Sequence, residues 1–99
     1  MTVVGSGGVR IARWVKDDRF QKQYRKLPSD LRARIDSKLI DLTKDPMPPG
    51  LRFEKLSGYR NPYLYSFHVT GNYKVTLSIE GDCAYLRRVS NHDTIDRAP

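Results

Sequence analysis

The chain has 99 residues, 38 % of them hydrophobic and 10 % aromatic, which suits one compact domain and argues against overall disorder. Its single cysteine, Cys83, excludes an internal disulfide and a multi-cysteine metal cluster, and it favours a reducing, cytoplasmic location. The formal net charge of +7 makes a phosphate backbone, an anionic membrane or an acidic protein the expected kind of partner.

The positive charge is concentrated in the first part of the chain. Met1–Arg60 carries 14 of the 18 basic residues and 7 of the 11 acidic ones, whereas Asn61–Pro99 carries four of each. Met1–Gly8 is small and expected to be flexible, and it lacks the basic start and apolar run of a signal peptide. No segment approaches the roughly 18 apolar residues of a membrane span, so no membrane association is expected. We expect residues 9–99 to form a single domain.

A strand and a helix hairpin are predicted first. Val9–Val15 is rich in β-branched and aromatic residues and predicts a strand. Asp17 and Asp18 predict a helix start, because carboxylates are stabilised at the positive end of the helix dipole. Pro28 ends this helix and opens a second one, which Asp45-Pro46 stops. The apolar stripes of the two helices are formed by Phe20, Tyr24, Leu27, Leu31, Ile35, Leu39 and Leu42.

A three-strand meander is predicted for the second half. After a stiff loop at Met47–Gly50 and a basic connection at Leu51–Asn61, apolar residues alternate with polar ones in Tyr63–Val69 and in Tyr73–Glu80. Cys83–Ser90 is the last strand, and the hairpin turns are predicted at Gly71-Asn72 and Gly81-Asp82. The predicted fold is therefore α+β, with an N-terminal strand, a helix hairpin and an antiparallel meander.

The helices are expected to cover one sheet face, because a small sheet needs a second layer to bury its apolar side. If they cover the face carrying Tyr65, Phe67, Val75 and Leu77, a polar face is left for a ligand. That face would carry Ser66, His68, Lys74, Thr76 and Ser78.

Several residues on or near this polar face could carry chemistry. His92 follows the last strand and could exchange a proton near neutral pH, although a surface histidine at a strand end is the commoner case. Lys74 could neutralise a phosphate or be an ordinary solvated strand residue. His68 would lie across from Lys74 or diagonal to it on the neighbouring strand.

Four further cations are candidate phosphate ligands. Lys55 and Arg60 flank the turn at Gly58, and either could be ordinary loop charge. Arg87 and Arg88 are adjacent in a strand, so they are predicted to face opposite sides of the sheet, with at most one on the polar face. The spacing of His92, Asp93 and Asp96 matches no strong metal signature, so no metal site is predicted.

Five landmarks in chain order resemble the RelE/ParE superfamily of small bacterial toxins. They are Leu27–Arg32, Asp45-Pro46, Lys55–Tyr59, Gly71–Val75 and Val89–Asp93. The resemblance implies a RelE-like fold, a type II toxin–antitoxin system with an acidic antitoxin, and mRNA on the ribosome as substrate. It implies neither a metal nor any other cofactor.

The resemblance also implies roles for two residues. Lys74 falls where ribonuclease members carry an arginine that contacts the scissile phosphate, and it keeps the charge without the bidentate fork. His92 falls at the position of the general acid or base in YoeB- and YafQ-like members. The implied reaction is attack of a ribose 2′-OH on the adjacent phosphate.

Two departures leave other functions open. Ile95–Arg97 contains no aromatic residue where many ribonuclease members have one, and no glutamate stands at the position of the YoeB-like base. The ParE branch has the same fold, lacks the ribonuclease residues and inhibits DNA gyrase. A gyrase-directed toxin and a catalytically degenerate nucleic-acid- or protein-binding module are therefore the alternatives.

Overall fold

The computed structural model describes residues 10–44, 46–56, 58 and 63–91. Its elements in chain order are β1 (Arg13–Lys16), α1 (Asp18–Arg25), α2 (Ser29–Leu42), a 3-10 turn (Pro49–Leu51), β2 (Glu54–Lys55), β3 (Leu64–His68), β4 (Tyr73–Glu80) and β5 (Cys83–Asn91). The fold is α+β, as the sequence predicts. No helix in these described ranges is both long and apolar enough to cross a membrane.

The helix hairpin begins and ends where the local signals predict. The carboxylate of Asp17 caps α1 by accepting a hydrogen bond of 2.7 Å from the Phe20 backbone N–H. Pro28 is the N-cap residue of α2. The two helices are tied together by a 2.7 Å hydrogen bond that the Tyr24 hydroxyl donates to the Asp36 carboxylate. Gln23 ties α1 to the sheet, because its side-chain oxygen accepts a 2.9 Å hydrogen bond from the Val89 N–H.

The five strands form one sheet in the order β1-β5-β4-β3-β2. β3, β4 and β5 are the predicted antiparallel meander, and β1 runs parallel to β5 at one edge. The hairpin between β4 and β5 turns at Gly81, whose φ of 61° suits the first central position of a type II′ turn. This turn fixes the register of the longest strand pair.

Two details of the predicted strands are wrong. Of the predicted strand Val9–Val15, Val9 lies outside the described residues and residues 10–12 precede β1, which begins at Arg13. Within those residues, Ile11 is buried in the core and Ala12 donates its N–H to the Asp82 carbonyl at 2.8 Å. β2 lies inside the stretch predicted to be a basic connection. Its two residues pair with β3, and a strand this short carries no alternation that a sequence could reveal.

The hydrophobic core lies between the helix hairpin and one face of the sheet, as predicted. Its helical side is formed by Phe20, Leu31, Ile35, Leu39 and Leu42, with Tyr24 and Leu27 partly buried against them. Its sheet side is formed by Phe67, Val69, Val75, Leu77, Ala84, Leu86 and Val89, with Tyr65 partly buried. We call the sheet side away from these residues the open face.

A β-bulge in β5 overturns the predicted placement of its two arginines. Thr76 pairs with Arg88 and Leu77 pairs with Leu86, so Arg87 is an extra residue in the strand. Leu86 faces the core, so the alternation of side chains along the strand puts Arg87 on the opposite face. Arg88 pairs with Thr76, which is on that same face. Arg87 and Arg88 therefore both belong to the open face instead of facing opposite sides of the sheet.

Candidate functional site

The open face is a set of side-chain rows that cross the sheet, and one of these rows contains Lys74 and His68. Lys74 on β4 is directly opposite His68 on β3, which confirms the sequence prediction that the two are cross-strand neighbours. Only 5 % of Lys74 is exposed. A charge so close to the protein interior attracts an anion more strongly than a fully solvated charge does.

The next row, which we call the middle row, runs from Arg88 through Thr76 and Ser66 to Glu54. Thr76 and Ser66 are fully buried between the flanking rows. The β-bulge adds Arg87 beside Arg88, so the β5 end of this row presents two guanidinium groups. The polar centre of the open face is thus bordered by Lys74 on one side and by the two arginines on another.

Two buried polar atoms on the open face lack hydrogen-bond partners among the described residues. They are the Ser66 hydroxyl oxygen and the Arg87 Nε. Most buried polar groups are satisfied, and leaving one unsatisfied costs about 1–3 kcal/mol, so such atoms often mark a functional site. Since an Arg Nε–H donates and a hydroxyl can donate, both atoms suit an acceptor-rich ligand. A phosphate group meets this requirement and also matches the surrounding positive charge.

Lys55 does not join the other candidate cations. It pairs with Tyr65, which packs against the core, so the register puts Lys55 on the helix side of the sheet. Its ammonium lies 3.8 Å from the centre of the Tyr63 ring, a cation–π contact. The register of β2 therefore puts Lys55 and Lys74 on opposite sheet faces, and the role of Lys55 as a phosphate ligand stays a prediction. Arg60 and His92 lie outside the described residues, and their predicted roles stay predictions.

A cleft of 260 Å³ extends the open face beyond the end of β3. It is lined by His68 and by residues of two loops, namely Gly50, Arg52, Val69, Thr70 and Gly71. Arg52 follows the 3-10 turn with a left-handed φ of 51°. Arg52 is not among the sequence-predicted site residues, because nothing in the local pattern indicates that this loop returns to the end of β3.

The cations of the open face are not accompanied by a metal site in the part of the chain that the structure describes. Within those residues, no three His, Cys, Asp or Glu side chains come together in a group able to hold a metal ion. The groups that the open face does offer are cations and hydrogen-bond donors. These groups can bind a phosphodiester and stabilise negative charge that develops on it.

Comparison with solved structures gives three informative matches. A chain of the RelB–RelE antitoxin–toxin complex from Methanococcus jannaschii is 26 % identical, with a TM-score of 0.66 over 86 % of this chain and 99 % of that one. The archaeal RelE–RelB complex from Pyrococcus horikoshii matches at 19 % identity and a TM-score of 0.64, covering 84 % and 96 %. YafQ from Escherichia coli matches at 12 % identity and a TM-score of 0.61, covering 83 % and 94 %.

The likeness is carried by structure more than by sequence. No protein-family model matches the chain, and no curated protein sequence matches it. At 19 % and 12 % identity, the second and third matches support the fold alone.

Proposed function

We propose that this chain, which has the RelE/ParE-superfamily toxin fold, is the toxin of a type II toxin–antitoxin module and cleaves mRNA on the ribosome. The observation that carries the catalytic part of the proposal is the composition of the open face. Lys74, Arg87 and Arg88 lie around the buried Ser66 and Thr76, and two buried polar atoms, the Ser66 hydroxyl oxygen and the Arg87 Nε, lack a described partner. A phosphodiester of a single-stranded RNA is the ligand that fits these groups.

The proposed reaction needs no metal ion. A base removes the proton of a ribose 2′-OH, and the 2′-oxygen attacks the adjacent phosphorus. The bond from phosphorus to the 5′-oxygen then breaks as an acid protonates that oxygen. Lys74, Arg87 and Arg88 would stabilise the extra negative charge on the pentacoordinate phosphorus. His92, which follows Asn91 in the sequence, would serve as the general acid or base.

The proposed protein partner is an acidic antitoxin. Two of the matching structures are complexes of RelE with RelB, described for the first as an antitoxin–toxin complex. In this chain, exposed basic residues surround both helices, including Arg19, Lys22, Arg25 and Arg34. Ile40 on α2 is 58 % exposed and would give such a partner an apolar anchor beside this charge.

A gyrase-directed toxin is the second candidate, and the sequence itself favours keeping it. No aromatic residue is present in Ile95–Arg97, and Lys74 replaces the arginine of the ribonuclease members. A lysine cannot make the planar, bidentate contact of an arginine with a phosphate. A toxin that binds gyrase without cleaving RNA would need neither feature.

Cleavage of mRNA on purified ribosomes tests the proposal. The wild-type chain should cut mRNA at the ribosome, and Lys74→Ala should cut it at least tenfold more slowly because charge stabilisation is lost. Lys74→Arg should retain cleavage, since it preserves the charge and adds the fork. Lys55→Ala is the matched control, because it also removes a lysine from a strand but on the helix side of the sheet.

Expression of the chain in cells, beside the assay on purified ribosomes, has an outcome that contradicts the proposal. If the wild-type chain arrests growth while mRNA stays intact on and off the ribosome, the chain is not an mRNA endonuclease. Altered supercoiling of plasmid DNA in the arrested cells would then favour the gyrase-directed candidate. An equal loss of rate in Lys74→Ala and Lys55→Ala would instead contradict the assignment of the site to the open face.

A further inference from the structure

Toward its end away from Lys74, the open face carries an exposed aromatic ring, followed by a last row of Arg13, Cys83 and Glu80. Val15, Tyr85, Ser78 and Leu64 lie side by side on β1, β5, β4 and β3, and we call them the Tyr85 row. Tyr85 and Val15 are exposed by 36 % and 45 %. They are thus accessible from the same side of the sheet as the cations.

Tyr85 differs from the other aromatic residues of the described strands. Trp14, Tyr65, Phe67 and Tyr73 all belong to the core or pack against it, on the helix side of the sheet. Within the described strands, Tyr85 is therefore the aromatic residue of the open face. Tyrosine combines an apolar ring with a polar hydroxyl, so it can offer a stacking surface on a partly solvated face.

The Tyr85 row lies within reach of a strand of RNA bound at Lys74. Ser78 and Lys74 are four residues apart on β4, which corresponds to about 13 Å along the strand. Arg88 and Arg87 occupy the interval on β5. A single-stranded nucleic acid combines regularly spaced phosphates with exposed bases, and proteins bind it with cations and aromatic rings in alternation.

The Tyr85 phenol is suited to a site that also attracts phosphates. The neighbouring Cys83 thiol, followed by the Glu80 carboxylate, raises the pKa of Tyr85 above its ordinary value. A phenol is uncharged at neutral pH even at its ordinary pKa, so the ring itself does not repel the RNA backbone. Val15, directly opposite Tyr85 on β1, extends the apolar surface beside the ring.

We propose that Tyr85 is a stacking platform for one unpaired base of the RNA whose backbone is bound by Lys74, Arg87 and Arg88. This inference rests on the proposed function, because it names a base-binding position within the same site. Stacking tolerates any base, since every base presents a π face, so Tyr85 contributes affinity and register more than sequence preference. Tyr85 is a positioning residue, because it does not contact the reacting atoms.

Binding to programmed ribosomes tests this inference. The probe is a ribosome carrying an mRNA whose 2′-hydroxyls are methylated near the cleavage site, so that it binds without being cut. Tyr85→Leu keeps an apolar side chain but removes the ring, and it should weaken binding by about 5- to 150-fold. Tyr85→Phe and Tyr85→Trp should bind as tightly as the wild type or more tightly. Tyr63→Leu is the control, because Tyr63 is an exposed tyrosine that contacts Lys55.

An abasic scan separates stacking from a structural role of the ring. Abasic nucleotides are placed one at a time around the cleavage site of the same mRNA. At one position, the abasic nucleotide should weaken binding of the wild type by about as much as Tyr85→Leu weakens binding of the intact mRNA. At that same position, the abasic nucleotide should not weaken binding of Tyr85→Leu any further. If Tyr85→Leu does not fold, which its thermal unfolding reveals, Tyr85→Ile is used in its place because a β-branched residue suits a strand.

The outcomes distinguish the inference from the proposed function. If the wild type cleaves unmodified mRNA and Tyr85→Leu binds and cleaves equally well, the stacking platform is refuted and the proposed function stands. The same conclusion follows if every abasic position affects both proteins equally, or if Tyr85→Leu weakens binding of a partner protein alone. If the wild type neither binds nor cleaves mRNA on ribosomes, the proposed function fails and the inference fails with it.

Discussion

Lys74 on β4 lies directly opposite His68 on β3, on the sheet face away from the helices. If these cross-strand neighbours bind one phosphate, their contributions to catalysis should not be additive. We expect the Lys74→Ala/His68→Ala double variant to lose less cleavage activity than the two single losses predict. The coupling should be about 0.5–3 kcal/mol, measured from cleavage rates on ribosomes.

The control for this comparison of single and double variants is the pair Lys74 and Lys55. These residues lie on opposite sides of the sheet and share no described contact, so their single losses should add. Additivity of Lys74 and His68 within about 0.3 kcal/mol would contradict a shared ligand, since that is the usual behaviour of independent sites.

Ile35 should be the most sensitive position of the α2 stripe. It is fully buried in the centre of the core, so Ile35→Ala removes packed methyl groups and leaves a cavity. We expect a loss of about 2–5 kcal/mol in the free energy of unfolding, measured by urea denaturation. Ile40→Ala on the same helix is the matched control, and at 58 % exposure it should change stability by less than about 0.5 kcal/mol. Equal losses at both positions would show that the core is assigned wrongly.

Ile40 should matter for the antitoxin instead. If it anchors the partner, Ile40→Asp should speed dissociation of the complex, because the change removes apolar contact and adds a charge that repels an acidic partner. Surface plasmon resonance measures both rate constants. Association should slow as salt rises, since the basic helices steer the encounter, and a rate that is insensitive to salt would argue against an acidic partner.

His92→Gln should abolish most cleavage while leaving the fold and ribosome binding unchanged. Loss of a general acid or base typically lowers the rate by about 10²- to 10⁴-fold. The measurement is single-turnover cleavage on saturating ribosomes, with circular dichroism as the check on folding. EDTA, added in an amount that leaves the ribosomes intact, should not change the wild-type cleavage rate. The reason is that the proposed 2′-OH attack uses side chains alone. Full activity of His92→Gln would remove His92 from the mechanism.

The core and the order of its elements were determined by local patterns in the sequence. The 3.6-residue stripe from Leu31 to Leu42 and the alternation in β3 and β4 predicted which residues would pack between the helices and the sheet, and the structure confirms them. The alternation did not predict that Ser66, Lys74 and Thr76 on the other sheet face are also buried. These patterns are reliable because each face of a helix or strand follows from its own backbone geometry. The turn at Gly81 was equally predictable, because few residues other than glycine adopt its φ of 61° easily.

The composition of the open face was decided only by strand pairing. A shift of one residue in register moves a side chain to the other side of a sheet. One bulge or one change of strand register therefore decides which sheet face a residue occupies. The bulge at Arg87 brought two arginines to one face, and the pairing of Lys55 with Tyr65 sent that lysine to the other. The sequence determined which chemical groups are present, but which of them share a face depends on contacts between strands that are far apart along the chain.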